Sequence, residues 1–183
     1  MTFLSYCVII IQKEDPMIRM IKYLLIFMAV AFIMPSHAFE ISGKGQIYYV
    51  IDGDTVLMSG VQNDVYRFLK NQSHDKDNFN DRYNSIKIRI GNINTKESKH
   101  RDKSRNSKAG EEAGNYLKNL VEKKYFNFYC WNIGDHGRPI CSVFNEQIDI
   151  GEHMIKRGYT DYVTYWGKHP KWHKRYSEAQ KYR

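Results

Sequence analysis

Three cysteines in 183 residues are too few for a disulfide-dense scaffold. They also lack the paired spacing of zinc modules, because Cys130 and Cys141 enclose only His136 as a further soft ligand. No apolar run reaches the ~20 residues that span a bilayer; the longest, Tyr23 to Met34, is broken by Pro35. No internal repeat is present, which excludes solenoids and propellers. Acidic residues are outnumbered: 20 Asp and Glu face 28 Lys and Arg, a formal charge of +8. That balance favours polyanionic partners such as nucleic acid or an anionic membrane surface. The chain is 42% hydrophobic, so a folded domain with a proper core is expected rather than disorder.

The N-terminal segment is set aside before any fold argument. Met17 to Lys22 carries Arg19 and Lys22, the apolar run follows, and Ser36-His37-Ala38 supplies small residues for a signal peptidase. Basic, then apolar, then small is the order of a secretory signal, here cleaved after Ala38. An uncleaved membrane anchor is the other reading of the same run. Residues 1–16 fit no signal design, and a start at Met17 or Met20 would suit the segment better. Residues 1–38 are thus expected as leader, and 39–183 as one exported domain, periplasmic or secreted. Cys7 falls in the leader, which leaves an even pair in an exported chain and predicts a Cys130–Cys141 disulfide.

Along the remaining chain, Gly45 to Ser59 reads as two strands joined by a tight turn at Asp52-Gly53. Val65 to Leu69 reads as a further short strand, and Asn71 to Ser85 as a solvated loop. Ile86 to Ile90 alternates with period two and predicts a strand. Glu97 to Ser107 is a second charged loop. Beyond it Ala109, Ala113, Tyr116, Leu117, Leu120 and Val121 share one helical face, with Ser107 as N-cap. Tyr125–Trp131 and Ile140–Phe144 read as a strand pair around the turn-forming segment Asn132–Pro139. In such a hairpin Cys130 faces Cys141, and a bridge would pin the loop that carries Arg138. Asp149–Arg157 reads as a short helix stopped by Gly158, and Pro170–Tyr182 as a last helix opened by its proline. The order predicts an α+β, mainly β architecture: a five-stranded Greek-key barrel of the OB-fold type with about three helices.

Three segments carry candidate chemistry, and each is ordinary alone. Asp52-Gly53-Asp54-Thr55 is also a plain hairpin turn, Arg89 an exposed strand residue, and Gly137-Arg138-Pro139 loop punctuation. Taken in order and at these separations, they resemble the motifs of the staphylococcal (thermonuclease-like) nuclease family. Val50-Ile-Asp-Gly-Asp-Thr-Val56 reproduces the first motif. Arg89-Ile-Gly-Asn-Ile-Asn-Thr-Lys-Glu97 resembles the second, R-x-x-x-[VI]-D-T-P-E, and Gly137-Arg138 the third. Lys108-Ala-Gly-Glu-Glu-Ala113 looks like the start of the family's first helix, and Ser177 to Gln180 like part of its last.

The resemblance implies a calcium-dependent hydrolase of DNA or RNA phosphodiesters with little sequence specificity, acting as a monomer. Phosphodiester cleavage gathers negative charge in its transition state and needs cations, aimed donors and an activated water. By resemblance Arg89 and Arg138 grip the phosphate with planar forks, and Glu97 is the general base or positions the water. Asp54, the Asn94 side chain and the Thr95 carbonyl are the oxygen ligands for calcium, with Asp52 acting through water. Tyr159, Tyr162 and Tyr165 are candidates for stacking on bases, with core or rim packing as the other reading. The basic residues between Lys99 and Lys108 would track phosphates or form a solvated loop. This chain departs from the pattern at Asn94, where the family has aspartate, and at Lys96, where it has proline. Asparagine keeps an oxygen but removes a charge, so weaker calcium binding is expected. A binding module that holds nucleic acid without cutting it therefore stays open, as does a purely structural interaction domain.

Overall fold

The computed structural model describes residues 17–18, 20–23, 39–98, 102, 104, 106–165 and 167–182. The chain divides into two units, 1–38 and 39–183. In the first, Met17, Ile18 and Met20 to Tyr23 are helical. Most of the expected apolar run and the cleavage position at Ala38 lie outside the described residues, as do Trp166 and the basic residues Lys99, Arg101, Lys103 and Arg105. No described helix is long and apolar enough to cross a membrane.

Among the described residues the second unit holds six strands, β1 (Ile41–Asp52), β2 (Thr55–Ser59), β3 (Phe79–Asn80), β4 (Ser85–Ile90), β5 (Tyr125–Ile133) and β6 (Pro139–Phe144). β1 pairs with β2 and β5, β2 with β4, β4 with β6, and β6 with β5, so five strands close into a ring. Among these strands only the β4–β6 pairing is parallel, and the short β3 adds to the start of β4. This is the OB-type barrel the element order predicts. Strand alternation places the core: Ile86, Ile88 and Ile90 are fully buried while Lys87 and Arg89 between them are not. Ile47, Val56, Met58, Phe128 and Val143 fill the same interior.

Four α-helices, rather than about three, surround the barrel among the described residues: α1 (Asn63–Gln72), α2 (Lys108–Val121), α3 (Ile150–Lys156) and α4 (His173–Lys181). Helix α2 begins as expected, with Ser107 Oγ accepting from Gly110 N at 3.1 Å. Asp149 caps α3 by accepting from Glu152 N at 2.9 Å.

Three expectations are corrected. Val65 to Leu69 is not a strand but the middle of α1, where Val65 and Leu69, one turn apart, are buried with Tyr66. Four apolar residues within that five-residue stretch hid the helical period. Asn71 to Ser85 is not a solvated loop: it holds a 3-10 turn at Lys76–Asn78 and strand β3, and it buries Ser73 and Asn78. Its polar side chains satisfy backbone groups of other segments instead of water. Helix α4 starts at His173, not Pro170, because His169 Nδ1 accepts from Lys171 N and Trp172 N and holds a turn there. The predicted cysteine pair is bonded, and Cys130 lies opposite Cys141 in the β5–β6 register.

Candidate active site

Barrel register brings the three motifs to one place. Thr55 at the start of β2 pairs with Arg89 near the end of β4, and Arg89 pairs in turn with Ile140 at the start of β6. The turn before β2 and the turn before β6 therefore flank the same arginine. Asp54 comes from the first turn and Arg138 from the second.

Asp54 is the buried hub of this cluster, only 4% exposed. Its Oδ1 accepts from Arg89 Nη1 at 2.7 Å and from the Thr55 hydroxyl at 3.0 Å, and its Oδ2 accepts from Thr95 N at 3.1 Å. Arg89 also donates from Nη2 to Asn94 Oδ1 at 3.0 Å and to Ile93 O at 3.2 Å. Arg138 donates to Thr55 Oγ1 at 2.9 Å. Asp52 accepts from Asp54 N at 3.2 Å. Burial, with the adjacent Asp54 charge second, pushes the Asp52 carboxyl up to about 6. Burial and the like charge of Arg89 lower Arg138, against the opposing pull of Asp54, Asp52 and Glu97. Arg89 and Arg138 thus lie near enough to repel each other, with Asp54, Asp52 and Glu97 offsetting their charge.

Arg89, Asn94, Glu97, Arg138 and Tyr165 line one hollow of about 360 Å³. Glu97 is held there by its backbone, whose carbonyl accepts from Ser107 N at 3.0 Å. Helix α2 approaches so closely that a Cβ on Gly110 would collide with that carbonyl, so the glycine in Lys108-Ala-Gly is a packing requirement.

The expected calcium ligands are oxygen donors of the kind a hard divalent cation takes: one carboxylate, one amide and one backbone carbonyl. Asp54 Oδ1 and Asn94 Oδ1 converge on a single guanidinium, and Thr95 N binds the same carboxylate. Donors of these types suit such an ion, with one formal charge among the three expected ligands, and both side-chain oxygens accept from Arg89.

The three tyrosines separate. Tyr165 lines the hollow and is 66% exposed. Tyr159 packs against Tyr116 at 4.7 Å between ring centres, and Tyr162 pairs with His173 Nδ1 at 2.8 Å and accepts from His169 N. Neither of these two lines the hollow; both pack against the core. Residues without a role in the sequence reading also hold the site. Asn92 donates to Val163 O and Gly167 O, both at 2.9 Å, fixing the segment that carries Tyr165. Thr160 accepts from Asn94 N at 3.0 Å. The only signal for Thr55 was its place in the first motif; Asn92 and Thr160 gave none, since their partners are distant in sequence.

Among curated proteins, none matches the chain. A family model described as "Staphylococcal nuclease homologue" matches residues 87–182, which takes in the second and third motifs and stops short of the first. That span covers more than half of the sequence, with the arginines and the glutamate of the hollow inside it, and the chain belongs to the staphylococcal nuclease family.

Proposed function

We propose that this protein is an exported, calcium-dependent nuclease that hydrolyses DNA or RNA phosphodiesters with little sequence specificity. The observation that carries the reading is the shared hollow of Arg89, Glu97 and Arg138, with Asp54 hydrogen-bonded to Arg89 at its wall. Arg89 and Arg138 bind the non-bridging oxygens of the scissile phosphate and neutralise the charge that grows there. Glu97 accepts the proton of the attacking water or orients that water. Asp54, Asn94 and the Thr95 carbonyl would hold calcium, with Asp52 acting through water, and the ion supplies Lewis-acid charge neutralisation at the phosphate. Tyr165 offers a ring at the rim for a base to stack on. The signal-like order of residues 17–38 supports export, and the disulfide suits an oxidising compartment. The reading takes the protein as a monomer.

A second reading has one specific support: Asn94 stands where the family has a carboxylate, which leaves a weaker cation site and favours binding without cleavage. Plasmid DNA and RNA incubated with the protein, with calcium or with a chelator, separate the two. Cleavage of either substrate that the chelator abolishes is expected. Binding of both with no cutting under any metal condition would establish the second reading instead.

A further inference from the structure

We propose that Ser73, His74 and Asn78 form a positioning brace for Arg138, acting through the backbone of the turn that carries it. The inference rests on the nuclease reading of the hollow for its effect on rate, but its geometry stands apart from that reading.

The β5–β6 turn has three successive carbonyls that its own hydrogen bonds do not use. All three are taken by side chains of the segment that follows α1. Asp135 O accepts from His74 Nε2 at 3.0 Å, His136 O from Asn78 Nδ2 at 2.8 Å, and Gly137 O from Ser73 Oγ at 2.6 Å. Ser73 and Asn78 are 3% and 5% exposed, so these bonds form out of water, where losing one is costly. Contact is direct as well. Gly137 has φ +68, and a Cβ there would lie 2.5 Å from Asp75 Cβ. Only glycine meets both demands.

The brace has its own foundation. Tyr66 and Leu69 anchor α1 in the core, Lys70 pairs with Asp81 at 2.6 Å, and Lys76 Nζ donates to Ser73 O at 2.6 Å. On the other side of the turn, the Cys130–Cys141 bond fixes the strands. Arg138 is therefore held from both ends of its hairpin. A guanidinium contributes to catalysis only while its fork stays aligned with the phosphate, and a displacement near 1 Å can cost ~10²-fold. Ser73, His74 and Asn78 do not line the hollow, so their loss reaches it only through the turn that carries Arg138.

The test is a double-mutant cycle of Asn78→Ala with Arg138→Ala, measured as kcat and KM on DNA. Asn78→Ala is expected to lower kcat about tenfold or more with KM within about twofold. In the Arg138→Ala background it should cost nothing further. An undiminished loss in that background, or no loss in either, overturns the proposal. If Asn78→Ala does not fold, the exposed His74→Ala enters the same cycle under the same criteria. Should the wild-type protein cut nothing, the nuclease reading fails by itself. Amide exchange then decides the brace: Gly137 N–H should exchange at least about tenfold faster in the variant, and an unchanged rate refutes it.

Discussion

Arg138 donates to the Thr55 hydroxyl at 2.9 Å, joining residues 83 positions apart. That hydroxyl donates in turn to Asp54 Oδ1, the same oxygen that receives Arg89 Nη1. Both arginines are thus tied to one buried carboxylate, one directly and one through a single hydroxyl. Thr55→Val keeps the shape and β-branching but removes the link. Hydrogen bonds to charged groups are worth ~1.5–3 kcal/mol, so kcat should fall about ten- to hundredfold. Steady-state kinetics on plasmid DNA measure this, and an unchanged kcat would show the link to be idle.

Asn94→Asp restores a negative charge beside Asp54. A unit pair at 4 Å is worth about 4 kcal/mol at an effective dielectric near 20, before rehydration offsets it. Calcium titration of activity should show half-saturation falling at least about tenfold in the variant. The wild-type value is expected toward the millimolar end of extracellular sites; a low micromolar value would refute the weak-site argument.

Glu97→Gln preserves the size of the side chain and its place in the hollow but cannot accept a proton. General-base catalysis contributes ~10²–10⁴-fold, and kcat should fall by that order with the circular dichroism spectrum unchanged. Arg138→Lys keeps the charge but not the planar fork, and a large loss is expected there too. Full activity in both variants would mean the site is misplaced.

The Cys130–Cys141 bond closes a loop with a sequence separation of 11. In the chain-entropy model a 15-residue loop gives about 3 kcal/mol, so a little less is expected here. Thermal unfolding with and without reductant reads the difference, and because the bond holds the Arg138 hairpin, activity should fall alongside stability. Coincident melting curves would contradict it.

His169 is 1% exposed, and its Nδ1 accepts two backbone N–H groups while Nε2 meets Ser142 Oγ at 2.5 Å. Trp131, Trp172 and Tyr176 surround the ring, and Arg175 and Lys171 add like charge. Burial first, then those charges, bring it down to about 4. The unfolded chain therefore binds this proton more readily between about pH 6.5 and 4, so the stabilisation is complete above that window and is lost as pH falls through it. Its size is at most about 3 kcal/mol. Asp149, whose carboxyl burial raises, works in the opposite direction. An NMR titration of the His169 ring should show a midpoint near 4; a midpoint near 6.5 would mean the ring is solvated.

Local pattern revealed much of the barrel. Ile86-Lys-Ile-Arg-Ile has the period of a strand, Ser107 caps the helix it precedes, and the cysteines face each other because the hairpin register makes them. Val65 to Leu69 is helical although it resembles a strand, because a dense apolar stretch carries no period within five residues. The segment from Asn71 departs from its loop-like composition for a deeper reason. Its serine and asparagines resemble loop residues until the partners of their side chains, some sixty positions away, are known.

Residues with the chemistry for a phosphate are legible in the chain alone: two arginines, a glutamate and an aspartate inside three short motifs. So are the strand periods and the turn residues that build a closed barrel, because these depend on neighbours a few positions apart. Folding in three dimensions is what makes Thr55 link Asp54 to Arg138, Asn92 fix the Tyr165 segment, and Ser73 and Asn78 hold the third motif. Those bonds depend on strand register and on the closing β4–β6 pair, and a hydrogen bond between distant residues leaves no period in the chain.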